Sequence, residues 1–388
     1  MIKGIFCHDL PIYKDINGVY CSTTLTNDVF SRYLSVVDDL VIATRVYPID
    51  TTYIEAGQER IDIPSIRFID LPNVNTPTAF FGTIQKVKKI LKDEIRSADL
   101  VFIRGGTIAL ISVQVAKELN KAYLLECGGS AWDSYWYHSL IGKILAPYME
   151  VKNRMAAKNA SMVVYVTKKW LQKRYPTKGL SVSVSDVLID SIDFELIDKR
   201  LKHIESGHDG QFVLGTTAAI DVKYKGQEYV INAMKMLKDI SNIRYEIVGG
   251  GDPSRLQRIA EECGVSEKVV FKGQLTHNNV LKWLDNIDVY IQPSITEGLP
   301  RALIEAMSRG CPAIGSDVGG IPELLDQEFL FKKKDSKGLV EILKQLSKED
   351  LKKAAVANYT KTKEFGSDIL NGNRILAFQQ YKKRALGD

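Results

Sequence analysis

Two carboxylates offer the most pointed chemistry in this chain. Glu297 and Glu305, with seven residues between them, lie in the stretch 291–325, IQPSITEGLPRALIEAMSRGCPAIGSDVGGIPELL. The apolar run at 288–292 reads as a buried strand, followed by a short polar loop that holds Glu297 and Gly298. Pro300 suits the first helical position, where its missing N–H is no loss, and Ala302, Leu303, Ala306 and Met307 keep helical spacing until Gly310. That places Glu297 in a loop and Glu305 inside the helix that follows. A second strand at 311–315, the Gly319-Gly320 turn and Pro322 at another expected helix start repeat the scheme. Consecutive strand–loop–helix units put loops and helix N-termini at one edge of a parallel sheet, where free N–H groups and the positive dipole end favour phosphate. The plain structural alternative has Glu305 facing solvent and Glu297 capping its helix.

The elements that must hold these residues in place are a long alternation. Strands are expected at 2–6, 40–44, 66–69, 100–103, 122–125, 162–166 and 184–188, with helices at 24–37, 80–96, 108–119, 134–158 and 168–174. A polar stretch at 202–211 reads as a linker. A second series then starts at Phe212, with strands at 244–248, 269–272, 289–292, 312–315 and 328–331 and closing helices at 336–346, 349–365 and 368–381. Such alternation argues for α/β architecture, with parallel sheets covered by helices on both faces. The domain expectation is 1–204, then 205–367, with 368–388 packing back on the first. At 388 residues the chain suits two domains, and 45% apolar with 26% charged residues is ordinary for a globular protein. No short-period repeat or low-complexity tract is present.

Five scattered cysteines, never in a CxxC pair, point to reduced thiols rather than to a disulfide frame or a zinc site. The start of the chain lacks signal-peptide features, and no apolar run approaches the roughly 20 residues that span a bilayer. A cytoplasmic location is therefore expected, peripheral on the inner face of the cell membrane if the basic segment acts there. That segment, 143–178, holds Lys143, Lys152, Arg154, Lys158, Lys168, Lys169, Lys173, Arg174 and Lys178 against Glu150 alone, interleaved with Tyr148, Tyr165, Trp170 and Tyr175. It reads either as a solvated basic face or as a surface resting on anionic lipid headgroups. The net charge of +5 is mild and no nucleic-acid motif accompanies the patch, so no nucleic-acid partner is expected.

Other residues with chemical potential follow strands. The loop from His8 to Gly18 lacks a dinucleotide fingerprint, and adjacent His8 and Asp9 point apart. Glu126-Cys-Gly-Gly-Ser-Ala-Trp-Asp133 lies at the carboxyl edge, and Trp132, Asp133, Trp136, Tyr137 and His138 could stack on a sugar or simply be core. Gly249-Gly250-Gly251 either admits a ligand to the backbone or makes a plain turn.

The Glu297–Glu305 spacing, with Gly298, Pro300, Glu305-Ala306-Met307, Gly310, Pro312 and Gly319-Gly320, resembles the signature of the large retaining glycosyltransferase family numbered four, which has the GT-B fold. That fold implies two Rossmann-like doubly wound domains facing a cleft. The segment from Tyr165 to Pro176 resembles one in glycosyltransferases of bacterial capsule and exopolysaccharide assembly. The resemblance implies a retaining, hexosyltransferase-like transfer from a nucleoside diphosphate sugar, a UDP-sugar favoured, to a saccharide or lipid-linked saccharide acceptor. It assigns Glu297 to catalysis at the donor sugar and Glu305 to the ribose hydroxyls. Donor contacts implied are Gly18, Lys225 (in Lys225-Gly226), Gly250, Leu275, Gly298, Leu299 and Arg301. Thr216 stands where relatives often carry a phosphate-binding arginine, and Glu126 where many carry a histidine. Glu126, Trp132, Asp133 and His138 are the acceptor or sugar candidates. No Asp-x-Asp motif is present, so a metal-independent reaction without cofactor is expected. A nucleotide-sugar epimerase or a non-catalytic sugar-binding subunit could share this architecture.

Overall fold

The computed structural model describes residues 1–76, 82–187, 189, 195–207, 210–237 and 242–387. Phe80 of the expected second helix, Leu188 at the end of an expected strand, and His208 and Asp209 of the expected linker lie outside them. The chain divides into two compact units, Met1–Val184 with the chain from Asn371 onward, and Ser185–Leu370.

The first unit holds strands β1 (Lys3–His8), β2 (Ile12–Lys14), β3 (Tyr20–Ser22), β4 (Asp39–Pro48), β5 (Glu59–Arg60), β6 (Ile66–Leu71), β7 (Leu100–Arg104), β8 (Leu124–Cys127), β9 (Met162–Tyr165) and β10 (Leu180–Ser183). Between them run α1 (Asn27–Leu34), α2 (Thr83–Ser97), α3 (Thr107–Glu118), α4 (Ala131–Trp136), α5 (Leu140–Asn159) and α6 (Trp170–Arg174). β10, β9, β8, β7, β1, β4 and β6 pair in that order, all parallel. Five of the six residues of β1 are buried, as expected for a strand covered on both faces. α2 turns Val87, Leu91 and Ile95 inward at four-residue spacing. The order of connection reverses between β1 and β7, so their carboxyl ends flank a crevice.

The second unit holds α7 (Glu195–Ser206), β11 (Phe212–Thr217), α8 (Gln227–Met236), β12 (Ile243–Val248), α9 (Ser254–Cys263), β13 (Val269–Gly273), α10 (His277–Asn286), β14 (Val289–Gln292), α11 (Arg301–Ser308), β15 (Ala313–Ser316), β16 (Leu330–Phe331), α12 (Ser336–Gln345) and α13 (Lys348–Thr362). Its six parallel strands run β13-β12-β11-β14-β15-β16, with the reversal between β11 and β14. α14 (Ser367–Leu386) closes the chain. Its Tyr381 hydroxyl accepts from the Val101 N–H at 3.0 Å, and Phe378 stacks on Tyr33 with ring centroids 5.3 Å apart.

Three differences from the expected elements have local causes. The division after Val184 precedes the expected junction at 204/205, because α7 belongs to the second unit. Ile204 joins that unit's core, and Arg200 donates to the carbonyls of Ile287 and Leu284, each at 2.6 Å. Lys202, Glu205 and Ser206 of the expected linker are exposed positions in the last turn of that helix. The single helix expected at 134–158 is two, since Ser139 leaves the helical path and caps α5 by accepting from Gly142 N–H at 3.0 Å. Pro300 is the residue before α11 rather than its first, and Pro322 lies in a single 3-10 turn, Ile321–Glu323, not at the start of an α-helix.

Candidate functional site

In the second unit the chemistry gathers at the carboxyl ends of β11 and β14, on either side of the strand reversal. β11 runs into a 3-10 turn, Lys223–Lys225, and α8 starts directly after Gly226. β14 ends at Gln292, and the loop beyond carries Pro293, Ser294 and Glu297. These two loops are held against each other. The Ile295 N–H donates to the Tyr224 carbonyl at 2.8 Å, and a Cβ on Gly226, whose φ is +76°, would lie 2.0 Å from the Pro293 carbonyl oxygen. Only glycine fits there.

The approach brings Lys225 to Glu297. Nζ donates to Glu297 Oε1 at 2.6 Å, and the same oxygen accepts from the Ser294 hydroxyl at 2.9 Å and from Gln292 Nε2 at 3.3 Å. The carboxylate is thus fixed in orientation by three donors, two of them on its own strand end. Behind it, Gly319 and Gly320 back the loop: the Gly320 N–H donates to the Gly298 carbonyl at 2.7 Å. A side chain on Gly319, with φ +59°, would overlap the Glu297 carbonyl oxygen.

Gly298 and Leu299 are half-buried in the same loop, and Arg301 is exposed as the first residue of α11. Free N–H groups of that first turn face the sheet edge by the geometry of any helix start. Glu305 lies further along α11, half-buried; burial raises its carboxyl above the ordinary value, while His277 and Arg301 pull the other way. Gly250 lies between β12 and α9, where its carbonyl accepts from Ile220 N–H at 2.9 Å. Leu275, half-buried, follows β13. Thr216 is fully buried, donating to the Ile291 carbonyl at 2.8 Å and accepting from Tyr245 at 2.9 Å. It is a packing residue.

The first unit has its own cleft, of about 380 Å³, at the reversal between β1 and β7. His8, Asp9, Arg45, Arg104, Glu126 and Tyr135 are among its lining. His8 Nδ1 lies 2.7 Å from the Arg104 carbonyl, and Asp9 accepts from the Thr107 N–H at the start of α3 while pairing with Arg45 at 3.8 Å. Burial pushes the Asp9 carboxyl upward against those contacts. Gly18 is not here. It turns the β2–β3 hairpin, before α1 begins; at the cleft it is Gly106 whose backbone lies against the Asp9 side chain, where a Cβ would overlap that carboxylate. The Arg104-Gly-Gly-Thr run after β7 is the sequence signal for it.

Glu126 borders the cleft, but its carboxylate is 5% exposed and already engaged. It accepts from the Tyr33 hydroxyl and lies 3.7 Å from Arg104 and 3.6 Å from Arg374 of α14. Trp132 stacks on Trp136 within α4, ring centroids 5.1 Å apart, and Lys143 lies over Trp136 at 5.9 Å. Both indoles are half-buried, whereas His138 is exposed. Asp133 receives its cap from Ser130, whose hydroxyl accepts the Asp133 N–H at 3.1 Å. Tyr165 and Tyr175 of the basic segment are core residues, 0% and 1% exposed. They cannot rest on an outside surface; Tyr175 instead donates to Glu150 at 2.6 Å.

Residues 199–363 match the family described as Glycosyl transferases group 1. The chain is 31% identical over 388 residues to Protein CapJ of Staphylococcus aureus, covering 98% of this chain and 95% of that protein. It is 32% identical over 134 residues to the amylovoran biosynthesis glycosyltransferase AmsK of Erwinia amylovora, 32% of this chain and 33% of the relative. Among solved structures, Alr3699/HepE of Anabaena in complex with UDP and glucose superposes with a TM-score of 0.63 at 14% identity, over all of both chains.

Proposed function

This chain belongs to the group 1 glycosyl transferases and has their GT-B fold, and we propose that it moves a hexose from a nucleoside diphosphate sugar, a UDP-sugar, to a hydroxyl of a saccharide acceptor with retention of configuration. The observation that carries the reading is the Lys225–Glu297 pair, 2.6 Å apart at the strand reversal of the second unit. The cation and the carboxylate satisfy each other in this structure. A bound diphosphate would draw Lys225 to itself and leave Glu297, still held by Ser294 and Gln292, to accept hydrogen bonds from the donor sugar.

As the bond from the anomeric carbon to the phosphate oxygen breaks, its electron pair goes to the leaving diphosphate. Lys225, Arg301 and the N–H groups opening α11 stabilise that charge, without a metal in this proposal. The acceptor oxygen attacks on the face being vacated, and its proton passes to the departing phosphate oxygen. Glu305 accepts from the ribose hydroxyls. The cleft of the first unit, with Asp9, Arg45 and the capped α4, is the acceptor side. The likeness to the amylovoran biosynthesis glycosyltransferase AmsK supports a role in polysaccharide assembly; a lipid-carried acceptor, met at the inner membrane surface, is part of the proposal.

A thermal-shift series with UDP, GDP and ADP and their sugars, with and without EDTA, tests this. Stabilisation by a uridine ligand, unchanged by EDTA, is expected, since binding to the folded state alone raises the melting temperature. Incubation with the responding sugar nucleotide should give transfer or slow hydrolysis. Binding without either, or epimerisation without acceptor, would overturn the transferase reading.

A further inference from the structure

The outward face of α5 is apolar. Leu140 is 79% exposed, Ile144 78%, Ile141 62%, Tyr148 58% and Val151 57%. By helical periodicity Ile141, Ile144, Tyr148, Val151 and Met155 share one face about 21 Å long. The opposite face, Gly142, Ala146, Met149, Ala156 and Ala157, is the one buried in the unit. This helix therefore carries two apolar faces, and one of them meets solvent. An exposed apolar run of this length marks a surface that takes a partner.

The charges say which partner. Lys143, Lys152, Arg154 and Lys158 on α5 are all exposed. The helix has one acidic residue, Glu150, and it is turned inward, accepting from Trp132 N–H at 3.1 Å, from the Tyr175 hydroxyl at 2.6 Å and from Arg174 at 2.9 Å. Arg154 also reaches Glu150, at 4.0 Å, so the outward face presents aliphatic side chains among four cations against this single, inward-turned acid of the helix. A second copy packed on this face would set the same cations against each other, which disfavours it. Single-stranded nucleic acid binds on stacking aromatics, and here the exposed groups are mainly aliphatic. Aliphatic side chains bordered by Lys and Arg fit the boundary between anionic headgroups and acyl chains.

We propose that α5 is a membrane-docking helix, lying in the plane of an anionic bilayer with Leu140, Ile141, Ile144, Tyr148 and Val151 in the acyl boundary and its lysines and arginine at headgroup level. This deepens the reading of a lipid-carried acceptor and rests on it. Of the interleaved tyrosines of the basic segment it keeps Tyr148 and drops Tyr165 and Tyr175, which are buried. Lys152, 5.3 Å above the Tyr148 ring, joins the cationic rim to the apolar face.

Flotation of the full-length protein with vesicles of phosphatidylcholine alone, or mixed with phosphatidylglycerol, tests it. Wild-type protein is expected to float with the anionic vesicles and poorly with the neutral ones. Ile144→Glu and Val151→Glu place a charge on a solvent-facing position and so should fold normally, checked by circular dichroism and by an unchanged UDP-induced thermal shift. Each should weaken vesicle binding by about tenfold or more. Lys143→Gln with Lys152→Gln should reduce the preference for anionic vesicles. Binding that Ile144→Glu leaves intact, or equal binding to both vesicle types, overturns the proposal. So does a wild-type dimer that ignores vesicles and dissociates on Ile144→Glu, since the face would then belong to a second copy. Nucleotide binding reads out separately: a normal UDP shift without vesicle binding removes the docking helix and keeps the transferase, and vesicle binding without any nucleotide shift does the reverse.

Discussion

Lys225 and Glu297 hold each other in a contact that, on the proposed reading, a bound diphosphate would open. Their contact is an ion pair with a side-chain exposure of 25% on the lysine and 12% on the glutamate, so the cation is poised at the rim rather than sealed in. Lys225→Ala removes charge stabilisation aimed at the leaving group, and kcat/KM is expected to fall by about 10²–10³. Glu297→Gln keeps the size and much of the hydrogen bonding, so it should lower kcat while nucleotide affinity, measured by calorimetry, stays near wild type. Glu305 adds a pH signature. Burial raises its carboxyl above the ordinary 4.5, so the folded protein takes up that proton at a higher pH than an exposed glutamate would. Ionising Glu305 therefore opposes folding: the cost is absent below the ordinary 4.5, grows as the pH rises from there, and is complete above the raised value. On the proposed reading the ribose hydroxyls donate to the ionised carboxylate, so UDP affinity should drop as the pH falls through that value. Glu305→Gln should weaken binding at neutral pH and flatten the dependence; a mutant as pH-sensitive as wild type would exclude Glu305 as the titrating group.

Among the secondary-structure elements, two loops that must touch make the site. β11 and β14 are neighbours in the sheet, pairing Leu214 with Val289 and Gly215 with Tyr290, so the loops leaving their carboxyl ends start side by side. Gly226 and Gly319 then remove the side chains that would hold those loops from Pro293 and Glu297. Gly319→Ala forces an L-residue into left-handed backbone, costing about 1–2 kcal/mol, and adds the overlap with the Glu297 carbonyl. Denaturant unfolding should show that loss, and turnover should fall further than the loss of folded protein explains, because the loop that aims Glu297 moves. A variant with wild-type stability and turnover would mean that the turn is not what positions the carboxylate.

Across the chain as a whole, α14 matters more than its place at the end suggests. Arg374, 2% exposed, brings a cation from this helix to Glu126 beneath the first unit's cleft, where Arg104 also converges. Removing the carboxylate would leave two cations there without their shared partner. Glu126→Ala is expected to destabilise the protein by about 3–5 kcal/mol, seen as a lowered melting temperature with or without substrate. A sugar contact would behave differently, raising KM for the acceptor while leaving the melting temperature unchanged. The structure favours the first outcome, because Oε1 accepts from Tyr33 and Oε2 faces Arg104 and Arg374 inside the unit.

Features that depend on periodicity and on near neighbours are legible along the chain. Apolar runs with helices between them specify parallel strands, and glycines after strand ends specify the loops at one edge. Glu297, Gly298 and Glu305 are placed by a single strand, loop and helix, so their arrangement follows from the local sequence. The remaining features depend on which surfaces meet. Lys225 and Glu297 are far apart in the chain and pair only because β11 and β14 are adjacent. Gly18 and Gly106 both follow strands; the Gly105-Gly106 run signals a tight turn, but only packing shows that Gly18 turns a hairpin while Gly106 yields to Asp9. Tyr165, Tyr175 and Tyr148 share a basic segment, yet two are core and one faces solvent, because burial is set by the neighbouring elements and not by residue type. The same holds for α5. A helix apolar on both sides reads as core in one dimension, and only the packing of the folded chain settles which side is left for water or lipid.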